Sequence, residues 1–134
     1  MNRFFLSAML IALLLPPAYA NTCEEADDQA SMTECVEQAY QASDAELNEL
    51  YRQIEHRLGD DEDTKNLLLG AERAWVSFRD AECTFASSAA AGGSAEPMAR
   101  AMCLGALTQT RIDELEQYLA CEEGDLSCPV PPAD

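Results

Sequence analysis

The chain has 134 residues with 25 acidic and 8 basic side chains, which gives a formal net charge of −17 at pH 7. This charge excludes a nucleic-acid-binding protein, because the phosphate backbone needs a basic footprint, and it disfavours anionic membrane surfaces. It favours solubility and long-range attraction to basic partners at low salt. The length fits one small domain with a modest core.

The first twenty residues have the pattern of a secretory signal peptide. Arg3 precedes an apolar run from Phe4 to Leu15, and Ala18-Tyr19-Ala20 supplies an A-x-A cleavage site, so the mature chain is expected to begin at Asn21. Cleavage removes one basic residue and no acidic residue, which makes the net charge −18. No later segment approaches the ~18 consecutive apolar residues of a membrane helix. We therefore expect an exported, soluble protein, either periplasmic or secreted.

The first predicted helix spans residues 31–58. Ser31 and Glu34 match a capping box that would begin the helix, and Gly59 is a natural stop. Between them runs a heptad-like stripe, which is apolar apart from one serine. Its members are Val36, Tyr40, Ser43, Leu47, Leu50, Ile54 and Leu58.

The second predicted helix spans about residues 63–89 and holds the only tryptophan of the chain. Trp75 and Phe78 are three residues apart and so share a face. We expect both in the core as the anchor of the fold, with Arg79 bonded to a carboxylate or to helix-end carbonyls, and with Glu72 and Arg73 on other faces. The alternative is that Trp75 or Arg79 is exposed as a binding hot spot. The expected stripe is Leu67/Leu68, Ala71, Trp75, Phe78 and Phe85.

The third predicted helix follows a reversal at Gly92-Gly93. Ser94 is expected to cap it and Pro97 to lie in its first turn, where proline is tolerated. Its apolar face carries Met98, Met102, Leu104, Leu107, Ile112, Leu115 and Leu119.

These elements predict an all-α domain over residues 21–120, a three-helix antiparallel up-down-up bundle stapled by disulfides. Residues 121–134 read as a disulfide-closed, proline-rich C-terminal tail with a frayed end. The pattern contains no alternation long enough to favour a strand.

Six cysteines follow the signal peptide, and an even count in an exported chain predicts three disulfides. Six cysteines allow 15 pairings. A reversal at Gly93 places positions 83 and 103 at equal distances from the turn, which favours a bridge between the second and third helices. Sequence proximity favours the other two bridges. The predicted pairs are Cys23–Cys35, Cys83–Cys103 and Cys121–Cys128.

No group of residues predicts catalysis, and we expect no enzyme, no metal and no cofactor. The single histidine, His56, lies between two charged residues and off the apolar stripe. Oxidised cysteines cannot act as nucleophiles. The acidic turn at Asp60, Asp61, Glu62 and Asp63 lacks the alternating order of a calcium loop, and we expect it to supply an N-cap and negative charge to the second helix.

The chain resembles the LprI-like family of lysozyme inhibitors, which are small exported bacterial proteins with paired cysteines. The similarity lies in four blocks and covers most of the chain from Cys35 to about Leu119. The blocks are residues 45–51 (AELNELY), residues 71–83 with the core AWxxFRDAEC, Gly92-Gly93-Ser94, and Cys103-Leu104 running on to Thr108, Arg111 and Leu115. The resemblance implies a helical fold and, for the named member of the family, inhibition of lysozyme.

We therefore expect a protein partner, either lysozyme or another basic protein. Animal lysozymes are strongly basic, and opposite charge speeds their encounter with an acidic protein. The candidate contact loops are Asp60–Asp63 and Gly92, Gly93 and Ser94, at opposite ends of the bundle. Two alternatives stay open: a non-inhibitory interaction or structural module of the envelope with another partner, and a divalent-cation buffer.

Overall fold

A computed structural model describes residues 23–133. They form three long α-helices, α1 (Gln29–Leu58), α2 (Glu62–Ala86) and α3 (Glu96–Leu119), with a 3₁₀ turn at Ser88–Ala90. This described part contains no strand, so the predicted all-α class is confirmed. The predicted signal peptide, residues 1–20, lies outside the described residues.

Two contacts between helix ends show which ends lie together. Arg57, near the end of α1, donates from Nη1 to the carbonyl oxygen of Leu119 at the end of α3 (2.7 Å). The end of α2 instead meets the start of α3 through the Cys83–Cys103 disulfide. The packing between α1 and α3 is the most extensive in the bundle. Between residues 23 and 133, no helix has a stretch that could cross a bilayer.

Helix α1 begins and ends for identifiable local reasons. Its N-cap is Asp28, whose Oδ1 accepts from the backbone N–H of Ser31 (2.8 Å). The predicted capping box is therefore wrong, because the Asp28 carboxylate caps the helix three residues before Ser31. Gly59 adopts a positive φ of 58° and ends the helix as predicted. The second half of the predicted stripe is buried: Leu47, Leu50, Ile54 and Leu58.

Helix α2 is rotated relative to the prediction. Its buried residues are Glu72, Arg79 and Cys83, whereas Phe78 is 55% exposed. The prediction of Phe78 as a core anchor is wrong. Trp75 is half-buried and packs against the core.

The disulfide to α3 explains this rotation. Cys83 must point at α3 to reach Cys103, and residues four and eleven positions earlier share its face of the helix. Those residues are Arg79 and Glu72, so the covalent link turns a polar face inward. The apolar residues on the other side of α2 are left in solvent.

The start of α3 also differs from the prediction. Its N-cap is Ala95, which makes no side-chain capping bond, so Ser94 is not the cap. Instead the side chain of Glu96 turns back and accepts from the N–H of Gly92 (2.7 Å). Pro97 lies in the first turn, as predicted. Met102, predicted to face inward, is 55% exposed.

All three predicted disulfides are present. The Cα–Cα distances are 5.6 Å for Cys23–Cys35, 5.5 Å for Cys83–Cys103 and 5.7 Å for Cys121–Cys128. No cysteine among residues 23–133 is free.

The C-terminal segment belongs to the core. Val130 is only 4% exposed and joins a cluster with Leu58, Leu115 and Cys121. The prediction that the tail is frayed is therefore wrong for the residues up to Val130. The Cys121–Cys128 bridge turns the chain back, so that the residues after Cys128 return to the end of the bundle where α1 and α3 finish.

Candidate functional site

Arg79 is the most deeply buried cation of the described residues, and it sits where α2 faces α1. Its Nη1 donates to Asp44 of α1 (3.0 Å) and its Nε donates to the neighbouring Asp80 (3.0 Å). The guanidinium carbon lies 5.0 Å from the centre of the Trp75 ring and 5.5 Å from that of Tyr40. Both distances are within the range of a cation–π contact. Arg79 thus has the carboxylate partner that one interpretation of the sequence expected.

The surroundings of Arg79 keep it charged. Burial by itself would lower the pKa of Arg79, but hydrogen bonds to Asp80 and Asp44 raise that pKa overall. Burial also raises the pKa of Tyr40, so its phenol stays protonated near neutral pH. Arg79 therefore stays charged between two carboxylates and two aromatic rings. It links the helices and does not act as a proton donor or acceptor.

A second buried ion pair joins α2 to α3. Arg111 donates from Nε to Oε1 of Glu72 (2.9 Å) and from Nη1 to Glu114 (2.6 Å). The Arg111 and Glu72 side chains are only 11% and 12% exposed. Burial alone would lower the pKa of Arg111, but the bonds to Glu114 and Glu72 raise it.

This pair was not predicted, because the hydrophobic pattern of α2 placed Glu72 away from the expected core face. The position of Cys83 could have indicated that Glu72 is buried. Once Cys83 is paired with Cys103, the helical spacing carries Glu72 inward with it. A buried acid then requires a basic partner, and Arg111 on α3 is in position to supply it.

These two clusters join the helices of the bundle to one another. Each arginine is paired with carboxylates, and the cysteines of residues 23–133 are all in disulfides. That part of the chain contains no group of three or more His, Cys, Asp or Glu residues that could hold a metal ion. His56 is exposed on α1.

The acidic turn at one end of the bundle is partly committed to structure. Asp61 is the N-cap of α2 and accepts from the backbone N–H and the hydroxyl of Thr64 (3.0 and 2.7 Å). These bonds lower the pKa of Asp61. Glu62 pairs with Lys65 at 3.1 Å. Asp60 and Asp63 are exposed.

The glycine turn lies at the opposite end. Gly92 has a φ of 75°, which favours glycine, and a side chain at Gly93 would come within 3.2 Å of the Ala90 carbonyl oxygen. Between this turn and the first turns of α1 is an open depression of about 560 Å³. Its lining residues are Gln29, Ala30, Thr33, Glu34, Glu37 and Ser94.

The comparison with protein families agrees with this architecture. A family model described as "Lysozyme inhibitor LprI" matches residues 20–115, which include α1, α2 and most of α3. The chain belongs to the LprI family. The match includes the Trp75–Cys83 block, the Asp60–Asp63 turn and the glycine turn.

Two curated proteins are similar in sequence to this LprI protein. The uncharacterized protein R02472 of Rhizobium meliloti (strain 1021) is 37% identical over 112 residues, which cover 75% of this chain and 81% of that protein. The uncharacterized protein YecT of Escherichia coli (strain K12) is 34% identical over 102 residues, 66% of this chain and 63% of YecT. No solved structure matches this chain.

Proposed function

We propose that this LprI protein is an exported, acidic protein that binds lysozyme and inhibits it. The observation that carries the proposal is the family match over residues 20–115, since that family is described as "Lysozyme inhibitor LprI". The formal charge of −17 adds a physical reason. A strongly acidic surface accelerates encounter with a basic enzyme.

The depression beside the glycine turn is the contact surface that we favour. It is an open depression that Glu34, Glu37 and Ser94 help to line, and the two glutamates lie one helical turn apart on α1. A lysine or arginine side chain of a basic partner fits such a site, because its stem fills the hollow while its charge meets the carboxylates.

The acidic turn at the other end is less suited to this role. Asp61 is held by Thr64 and Glu62 by Lys65, so half of its four carboxylates already have partners. We therefore assign it to capping α2 and to the long-range field.

A lysis assay tests the proposal. The purified mature protein is added to lysozyme acting on bacterial cell walls, at low and at moderate salt. We expect inhibition at both salt concentrations, with weaker binding at the higher one because salt screens the attraction. Absence of inhibition at either salt would remove the proposal.

A matched pair of double variants locates the contact. Glu34→Gln with Glu37→Gln and Asp60→Asn with Asp63→Asn each remove two negative charges, at opposite ends of the bundle. Their long-range effects are equal, so a difference reports direct contact. We expect the first pair to weaken inhibition about tenfold more than the second, which corresponds to ~1.4 kcal/mol. Equal effects would show that the depression is not the contact surface.

A further inference from the structure

Helix α2 carries an apolar stripe on its solvent side. The residues follow one another at spacings of four, three, four, three and four, the repeat of a coiled-coil seam. All six are exposed, and the three large ones are 74%, 55% and 75% exposed at Leu67, Phe78 and Phe85. We call this set the outer stripe: Leu67, Ala71, Ala74, Phe78, Ala81 and Phe85.

The outer stripe is uncharged in an otherwise strongly acidic chain. None of its members is ionisable, and its helical neighbours Gly70, Ser77 and Trp75 carry no charge. The acids that border it are Asp63, four residues before Leu67 on the same helical face, and Glu82. Surfaces that meet in protein interfaces are depleted of charge at their centre, and a partner with its own negative field can approach this face at the least electrostatic cost.

The spacings of the outer stripe are four, three, four, three and four whether they are counted from the N-terminal or from the C-terminal end of α2. A second copy of α2 that runs antiparallel about a two-fold axis therefore brings apolar positions opposite apolar positions throughout. Ala74 faces Phe78 of the second copy at the centre, so a large side chain meets a small one on each side of the axis. Ala71 then faces Ala81, and Leu67 faces Phe85. The match of large with small at the two central positions lets the helices interdigitate near the axis.

The available area is enough for a weak dimer. A fully exposed aromatic side chain offers about 150–250 Å². At the observed exposures, the three large residues and the alanines provide roughly 500 Å² in each copy. Two copies would bury on the order of 1,000 Å², which is near the lower bound for a biological interface.

We propose that the outer stripe of α2 is a self-association surface on which two copies of this chain pack antiparallel about a two-fold axis. The small area and the repulsion between two acidic molecules set the dissociation constant in the micromolar range. Salt screens that repulsion, so dimerisation strengthens with salt. Binding of a basic partner weakens with salt, and the two kinds of association are therefore separable.

Sedimentation velocity of the mature protein over a range of micromolar concentrations, at low and moderate salt, tests the proposal. We expect a monomer–dimer equilibrium that shifts towards dimer with concentration and with salt. The variant Phe78→Glu should weaken the dimer at least about tenfold. Met102→Glu is the matched control, because Met102 is equally exposed, at 55%, but lies on α3. It should leave the dimer unchanged.

A photoreactive benzoylphenylalanine at position 78 tests the orientation of the pair. In mixtures of isotopically labelled and unlabelled protein, intermolecular cross-links should fall at residues 71–74 of the other copy. Cross-links at residues 78–82, or on α1 or α3, would overturn the antiparallel arrangement. A monomer at every concentration and salt would overturn the proposal, as would a Met102→Glu effect as large as that of Phe78→Glu.

Discussion

Arg79 shows how one charged residue organises the bundle. It connects α2 to Asp44 of α1 through a hydrogen bond and lies over the rings of Tyr40 and Trp75. Only a planar guanidinium can stack on rings and donate in two directions at once, and an ammonium group cannot replace it. The distinctive Trp–Arg–Cys block of the sequence is therefore a joint between helices.

The variant Arg79→Lys measures this joint. It keeps the charge but loses the stacking and the second hydrogen bond, so we expect the free energy of unfolding to fall by about 2 kcal/mol. Urea denaturation followed by circular dichroism gives the value. Arg73→Lys is the control, since Arg73 is exposed on the same helix and should change stability by less than about 0.5 kcal/mol. Equal losses in the two variants would contradict the assignment.

At the level of single residues, the sequence predicted the disulfide pairs but not the cap of α1 or the Glu72–Arg111 ion pair. The three disulfides were predictable because each joins neighbouring cysteines and one pair is fixed by a glycine turn. The cap of α1 was not, because Asp28 and Ser31 are both good capping residues and only the fold of the segment closed by Cys23–Cys35 decides between them. The Glu72–Arg111 pair requires the rotation of α2, which is a property of the whole helix.

Among the helices, α1 and α2 differ in how well their patterns predict the buried face. Helix α1 has a single, mostly apolar stripe, and its C-terminal four members form the core: Leu47, Leu50, Ile54 and Leu58. Helix α2 has two candidate faces, an apolar one and one that carries Glu72, Arg79 and Cys83. Hydrophobic periodicity predicts that the apolar face is buried. In the structure the disulfide and the two ion pairs turn the other face towards the bundle.

Substitutions on the two faces of α2 distinguish these orientations. Phe78→Ala should change the free energy of unfolding by less than about 0.5 kcal/mol, because the ring is largely in solvent. Trp75→Ala should cost about 2 kcal/mol, since it removes core contacts and the stacking on Arg79. Urea denaturation at submicromolar protein and low salt keeps self-association from contributing. The reverse ranking would mean that Phe78 faces the core.

The whole molecule carries far more negative charge than its few arginines and one lysine can neutralise. The buried arginines take up Asp44, Asp80, Glu72 and Glu114, and most other acids remain on the surface. Repulsion among them opposes the compact state. This repulsion is long-ranged and is screened by salt, whereas the buried pairs are screened much less.

Salt should therefore stabilise the protein. We expect the melting temperature to rise by about 4 °C between low salt and 0.5 M NaCl, if screening contributes about 1 kcal/mol. Differential scanning calorimetry at low protein concentration measures this shift. A variant with Asp60→Asn, Asp63→Asn, Glu122→Gln and Glu123→Gln should show a smaller rise. A melting temperature that falls with salt would show that surface ion pairs outweigh the repulsion.

The order in which the cysteines are joined has a consequence for how the chain matures. The first cysteine pairs with the second, the third with the fourth and the fifth with the sixth, across separations of 12, 20 and 7 residues. If cysteines are oxidised in order from the N-terminus, the next cysteine along the chain is in each case the native partner. We therefore expect vectorial oxidation to produce this set without reshuffling and without a disulfide isomerase.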